Sequence, residues 1–288
     1  MEDRFENFEA ALPLSPEQRA VLAMHRGAGL QPLAVSVAIE GALDEARLRT
    51  VAAEVLQAHE AMRLAMRDAA DPFAWRQQPR ATLSASHAQA DASMQPQEGG
   101  VVRIGLDRVD ASHHRLTLSA HPLAADAASL AALLARIAEV YGNEGTADAE
   151  PFQYTQFAAW RDALAHDDEE DAVKGRAYWA GYLAGGEALA APRLAVRQGD
   201  VGDVGDVAAP ARRVVERTLD AALLSRLDAL AGAHGVQASE LLHAAWWTLL
   251  ARLTGFARFT GGWQHDWRLD YEVMQGAIGV YEKVVPLR

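Results

Sequence analysis

Apolar residues along this chain change their spacing from every second position to every third or fourth, and the change recurs. Leu33, Val35, Val37 and Ile39 alternate with small or polar residues, the pattern of a half-buried strand. Asp44 then opens a helix on whose face Leu48, Val51, Val55, His59, Met62 and Met66 fall three and four apart. A polar loop over residues 89–100 precedes a second strand carrying Val102, Ile104 and Leu106. After a turn at residues 110–114, Leu116 and Leu118 mark a third strand, which runs into Ala120-His121-Pro122. The next helix has Leu130, Leu133, Leu134, Ile137 and Val140 on its apolar face and Gly142 at its end. Two further helical runs lie between residues 155 and 183, joined through the acidic cluster at 167–171, which reads as a solvated junction. Near the start, Ser15-Pro16-Glu17-Gln18 has the residues of a helix N-terminus: a cap, a proline at the first position and an acid in the first turn.

Residues 199–209 break this pattern with Gly-Asp-Val three times in a row, which predicts a solvated linker or long loop. Beyond it the cycle restarts: a strand at 214–219, helices at 221–233 and 239–253 stopped by Gly235 and Gly255, a strand at 256–263 and the start of another at 284–288. The fold class is therefore mixed α/β (α+β). The organisation is an N-terminal lobe over 1–186, a linker over 187–211 and a second, partial lobe over 212–288. A half-built second lobe would leave the apolar faces of its helices uncovered, so self-association is expected.

Composition narrows the function classes. The 288 residues carry 39 acidic and 27 basic side chains, a formal charge of −12, which disfavours a nucleic-acid partner. Without cysteine there is no disulfide, thiolate metal site or thiol nucleophile. The acidic start, Met1-Glu2-Asp3-Arg4, lacks the pattern of a signal peptide, and no apolar run is long enough to span a membrane, so the expected location is the cytoplasm. No phosphate-binding glycine motif and no nucleophile elbow occurs, so the sequence gives no support for a nucleotide site or a serine hydrolase.

The candidate chemistry rests on histidines beside carboxylates. His121, at a strand end with Asp126 five residues on, is placed to act as a general base, although a structural role is the plainer reading. Asp126 also reads as an N-cap for a helix beginning at Ala127. His113-His114 falls in the turn before the strand with no acid at a motif spacing. His265-Asp266 supplies too few ligands for a metal, so no metal site is expected. His59-Glu60 lies on a helix with His59 on the apolar face, and of Trp246-Trp247 at least one should be core.

These pieces, taken in order, resemble the condensation domains of nonribosomal peptide synthetases, which share a fold with chloramphenicol acetyltransferase. Leu14-Ser15-Pro16-Glu17-Gln18-Arg19 is similar to the family's LSxxQ, and Ala58-His59-Glu60-Ala61-Met62-Arg63 to its RHExLR. Ala120 to Ser129, reading AHPLAADAAS, falls where the family carries MHHxxxDGxS. Tyr154 to Trp160 resembles YxDYAxW, Tyr178-Trp179 the YW that follows, and Ile278 to Arg288 the IGxFVNTxPLR segment. The resemblance implies two acetyltransferase-like lobes in a V, the second partial here. Donor and acceptor thioesters on the phosphopantetheine arms of carrier proteins would enter a tunnel from opposite sides and leave as an amide. It implies no cofactor of the chain's own. The partners implied are acyl or peptidyl carrier proteins and other synthetase modules.

On this resemblance His121 takes the place of the first motif histidine, Pro122 that of the catalytic second one, Asp126 that of the aspartate and Ala127 that of the glycine. The aspartate would be structural and pair with an arginine, for which Arg63 and Arg288 stand in motif positions. Proline offers no base. Lys283 replaces the family's asparagine, and residues 261–268 depart from its usual loop. Three activities follow as expectations: amide formation between carrier thioesters with an altered site; a condensation-like domain without chemistry that docks carrier proteins or partner enzymes; and acyl transfer to a free small-molecule acceptor.

Overall fold

The computed structural model describes residues 11–24, 30–67, 71, 74–83, 94, 96–143, 151–184 and 217–287. In chain order its elements are β1 (Leu12–Pro13), α1 (Pro16–Met24), β2 (Leu33–Glu40), α2 (Glu45–Ala58), β3 (Leu64–Arg67), β4 (Arg76–Pro79), β5 (Val102–Arg108), β6 (His113–Ala120), α3 (Ala127–Tyr141), α4 (Tyr154–Ala165) and α5 (Glu170–Ala184). After these come α6 (Ala221–Ala233), α7 (Ala238–Thr254), β7 (Gly261–Asp266) and β8 (Glu282–Leu287). Contacts divide the chain into two compact units: Met1–Gly181 with Gln264–Val285, and Tyr182–Trp263 with Pro286–Arg288.

In the first unit two antiparallel sheets, ordered β1-β4-β3 and β2-β6-β5, share a core with α2, α3 and α4. Strand β6 is central in its sheet, and its burial alternates. His114, Leu116, Leu118 and Ala120 point into the core, while His113 and Arg115 are exposed. Helix α3 answers with Leu130, Leu133, Leu134 and Ile137, all buried. The face read from the 3.6-residue period is thus the face that packs.

Several elements differ from expectation. Helix α2 stops at Ala58; His59 caps it, Met62 lies in a short 3-10 turn and Met66 in β3. The cause is distant in sequence: Gln153 donates to the Ala58 carbonyl and accepts from the Glu60 N–H, both at about the helix end (3.0 and 2.9 Å). Strand β6 begins at His113, so the histidine pair belongs to the strand rather than to a turn. Strand β2 is largely exposed instead of half-buried, with Leu33 and Val37 at 37% and 38%. Strand β7 starts five residues later than the apolar run at 256 suggests. Residues 217–219 precede α6 without regular structure, and the rest of the strand expected there, like the Gly-Asp-Val repeats, lies outside the described residues. The segment Gln264–Val285 packs with the first unit rather than with the residues after 212, because Ala277, Ile278, Val280 and Tyr281 are part of the first unit's core.

In the second unit α6 and α7 carry N-terminal caps from Asp220 and Gln237. Gly255 ends α7 in the left-handed region at φ 73°, which suits glycine. Trp247 stacks on Phe259 at 4.9 Å, and a Cβ on Gly261 would lie 2.3 Å from its ring, so only glycine fits there. Neither Trp246 nor Trp247 is fully buried: Trp246 is 55% exposed, as are Leu223, Leu224, Leu230, Leu242 and Leu249 to a similar degree. The uncovered apolar faces expected of these two helices are present.

Candidate functional site

The HPLAADA segment forms a buried turn between β6 and α3. His121 donates its N–H to the Val101 carbonyl at 2.8 Å, extending the β5–β6 pairing by one step. Its own carbonyl accepts from Ala124 N–H at 2.8 Å, and Leu123, Ala124 and Ala125 are fully buried behind it. Gln18, also fully buried, donates from Nε2 to the Leu123 carbonyl at 2.7 Å. A glutamine from the first helix therefore holds the turn from below. Gln18 is itself fixed because its N–H and side chain close a reciprocal cap with Ser15.

Asp126 works on both sides of this turn. Oδ1 accepts from the Ser129 N–H at 2.8 Å and caps α3. Both carboxylate oxygens also meet Arg268, Oδ2 with Nη1 and Oδ1 with Nη2, each at 3.0 Å. Oδ2 accepts in addition from the Tyr281 N–H at 2.9 Å. The bidentate pair is nearly buried, with side chains 10% and 5% exposed. Arg268 is completed by Asp266, by the Ala277 carbonyl at 2.8 Å and by the Tyr281 ring 4.4 Å from its guanidinium carbon. Burial alone would lower the Arg268 pKa, but Asp126 and Asp266 more than offset it and raise the value. The cap and the structural ion pair expected of Asp126 are thus both present. The partner differs from those expected: Arg63 instead donates to the Gln57 and Arg80 carbonyls, and Arg288 lies outside the described residues.

Three of the other motif segments meet at the same place. Gly279 accepts the Asp126 N–H at 2.9 Å, and a Cβ there would fall 2.1 Å from the Tyr154 ring. The Tyr154 hydroxyl bonds Ser15 Oγ at 2.9 Å and donates to the Val280 carbonyl at 3.3 Å. Glu17 Oε1 accepts from Arg161 Nε and Trp267 Nε1, both at 3.0 Å. Residues near 15, 126, 154 and 280 are thereby tied into one buried network. Ser129, the last residue of the matched motif, joins it through Arg268 Nη2 at 2.6 Å, and Arg268 and Gln77, which bonds Gln18 at 2.8 Å, are its members that the sequence did not announce.

His121 is mostly buried and accepts the Leu123 N–H through Nδ1 at 3.3 Å. Burial pushes its pKa down to about 4, so the ring is neutral near pH 7. Pro122 beside it is buried and carries no titratable atom. The remaining candidates stand apart. His113, exposed at the start of β6, pairs with Asp110, and His265 with Asp270 rather than Asp266, both at 2.8 Å. His59, whose pKa burial and then Arg136 lower to about 4, lines a separate cleft of about 490 Å³ with Arg136, Glu139 and Gln275. Tyr178 and Trp179 are exposed on α5. Among the described residues no helix is long and apolar enough to cross a membrane, and no group of three metal-ligating side chains converges.

The model of the Condensation domain family matches residues 9–288. Tyrocidine synthase 2 of Brevibacillus parabrevis is 27% identical over 268 residues, which is 86% of this chain and 7% of that synthase. The condensation domain from the Monacolin K polyketide synthase MokA superposes with a TM-score of 0.79 at 20% identity, over 97% of this chain and 67% of that one. The X-domain in its complex with OxyB from teicoplanin biosynthesis gives 0.73 at 21% identity, over 97% of this chain and 65% of the other. The chain thus spans a small fraction of the curated relative and about two thirds of the solved domains. With a match running through every motif in the buried network, the chain belongs to the condensation-domain family of nonribosomal peptide synthetases.

Proposed function

We propose that the chain handles acyl thioesters on the phosphopantetheine arms of carrier proteins, in the cytoplasm, and joins donor to acceptor as an amide. It would do so by holding the two arms together, without a histidine base at position 122. The acceptor amine attacks the donor thioester carbonyl; the C–N bond forms, the C–S bond breaks and the donor arm leaves as a thiol. The amine proton is the part of this balance that a base would carry. The observation behind this reading is an intact scaffold around an altered position: Gln18, Asp126 and Arg268 hold the motif turn while Pro122 stands where the family places its base. A positioned base contributes about a hundred- to ten-thousand-fold, and approximation of two reactants can contribute more. Slow amide formation is therefore the expectation.

The same proline supports a second reading, a condensation-like domain that docks carrier proteins or a partner enzyme without chemistry. The X-domain solved in complex with OxyB is similar to this chain in fold. Incubating the chain with loaded donor and acceptor carriers separates the two. Amide on the acceptor arm, above a control without the chain, supports the first. Binding of loaded carriers with no amide supports the second, and neither binding nor product contradicts both.

A further inference from the structure

Gln77 is fully buried on β4, the central strand of its sheet. A strand that needed only to pack there would carry an apolar side chain, since a buried amide costs stability unless its polar groups are bonded. Gln77 and Gln18 face one another as a reciprocal amide pair, each Nε2 donating to the other's Oε1 at 2.8 Å. The second hydrogen of Gln77 Nε2 goes to the Pro13 carbonyl at 3.0 Å, and that of Gln18 Nε2 to the Leu123 carbonyl at 2.7 Å. Gln18 Oε1 also accepts from the Ser15 N–H at 2.9 Å. Turning either amide over would set donor against donor and acceptor against acceptor, so the pair has one arrangement.

Leu123 is bonded on both sides. Its carbonyl accepts from Gln18, and its N–H donates to Nδ1 of His121 at 3.3 Å. A backbone N–H can only donate, so Nδ1 is the acceptor and carries no hydrogen. Because burial holds the His121 pKa at about 4, the ring is uncharged near pH 7 and its one hydrogen sits on Nε2. The lone pair of Nδ1 is engaged, and Nε2 has none to offer. His121 is thereby left as a hydrogen-bond donor. A chain of bonds runs from β4 through α1 to the turn that carries positions 121 and 122.

We propose that Gln77, which lies in none of the matched motif segments, is a positioning residue: acting through Gln18 and Leu123, it fixes His121 as the Nε2-protonated tautomer and sets where position 122 stands. Fixing the tautomer is independent of any activity; setting position 122 rests on the reaction proposed above. Gln77→Met removes the pair at nearly constant volume. Gln18 then loses two of the bonds that hold its amide plane, Leu123 loosens, and the ring hydrogen redistributes between the two nitrogens. Gln77→Glu is the sharper variant. An un-ionised carboxyl donates through one oxygen and accepts through the other, so it pairs with Gln18 as the amide does, whereas a carboxylate has no hydrogen for Gln18 Oε1. Burial raises a carboxyl pKa, so this variant holds the tautomer at acid pH and releases it as pH rises through that value.

Nitrogen-15 NMR of the full chain reads the ring directly, with the His121 resonances assigned by their loss in His121→Ala. At pH 7 a single Nε2-protonated tautomer is expected, titrating only near pH 4. Gln77→Met should show both tautomers and a titration moved up toward 6.5. Gln77→Glu should do the same at about pH 8 but keep the single tautomer at about pH 5. Ile137→Ala, about three turns along α3 from the motif turn, should lower the urea midpoint and leave the His121 ring unchanged. Amide formation between loaded carriers supplies the second readout. In a Pro122→His chain, Gln77→Met should lower kcat about a hundredfold with KM unchanged. A His121 ring unmoved by the Gln77 variants, or moved as much by Ile137→Ala, overturns the inference, as does an unchanged kcat. No amide from Pro122→His defeats the proposed reaction instead, and the ring spectra still decide the role of Gln77. Should Gln77→Met fail to fold, Gln77→Glu compared at the two pH values decides it.

Discussion

Asp126 joins a helix cap to a buried ion pair, and the two roles predict one behaviour. Asp126→Asn keeps the shape but takes from the Arg268 guanidinium, which is 10% exposed, the more buried of its two carboxylate partners, leaving it Asp266. Removing one member of a buried pair typically costs about 3–5 kcal/mol. Urea unfolding should show a loss of that order, and an unchanged midpoint would mean that the pair is not formed. Two histidines set the pH response. His59 and His121 fall from the ordinary 6.5 to about 4, mainly through burial, so between those values the unfolded chain binds protons that the folded chain refuses. Stability is therefore full above about pH 6.5 and is lost as pH falls toward 4. Each residue contributes on the order of 3 kcal/mol to that loss. Urea midpoints measured from pH 7.5 to 4.5 should fall, and the fall should shrink in His121→Ala. The cap was legible because Ser129 is three residues from Asp126. Arg268 was not, because it is 142 residues away in a segment without periodicity.

The same division between local and distant partners governs the elements. Helix α3 was legible from its start at Asp126 to Gly142 because cap, apolar stripe and stop are all local. Helix α2 was read too long: its apolar spacing continues into Met62 and Met66, but Gln153 takes the groups at its end. The exposure of β2 could not be read from alternation, which reports that one face is apolar and not whether anything covers it. Close approach leaves its own trace in the glycines. Gly279 lies against the Tyr154 ring, where a Cβ would come within 2.1 Å, so Gly279→Ala must displace either the α4 tyrosine or the segment bearing Tyr281. Overpacking of this kind costs about 1–3 kcal/mol, and it should also loosen the Ser15–Tyr154 hydrogen bond. Thermal melts and proteolysis of the variant check this; a wild-type melting temperature would contradict the packing.

For the molecule as a whole, the order of the motifs predicted the family, and the buried network explains why four of them occur together: the segments near residues 15, 126, 154 and 280 are joined by hydrogen bonds around the turn that ends in α3. The boundary of the second unit was legible only in part. The break before α6 is compositional, but the return of Gln264–Val285 to the first unit depends on core contacts that no local signal carries. The central claim is that this scaffold is kept while the base at position 122 is gone. If His121 stays on the side of the chain fixed by its bond to Val101, it cannot stand in for the missing group. The direct measurement is the rate of amide formation between loaded carriers for the chain, for His121→Ala and for Pro122→His. The account predicts a slow or undetectable rate for the chain, little change in His121→Ala and a gain in Pro122→His. Rapid turnover abolished by His121→Ala would contradict it and make His121 the base.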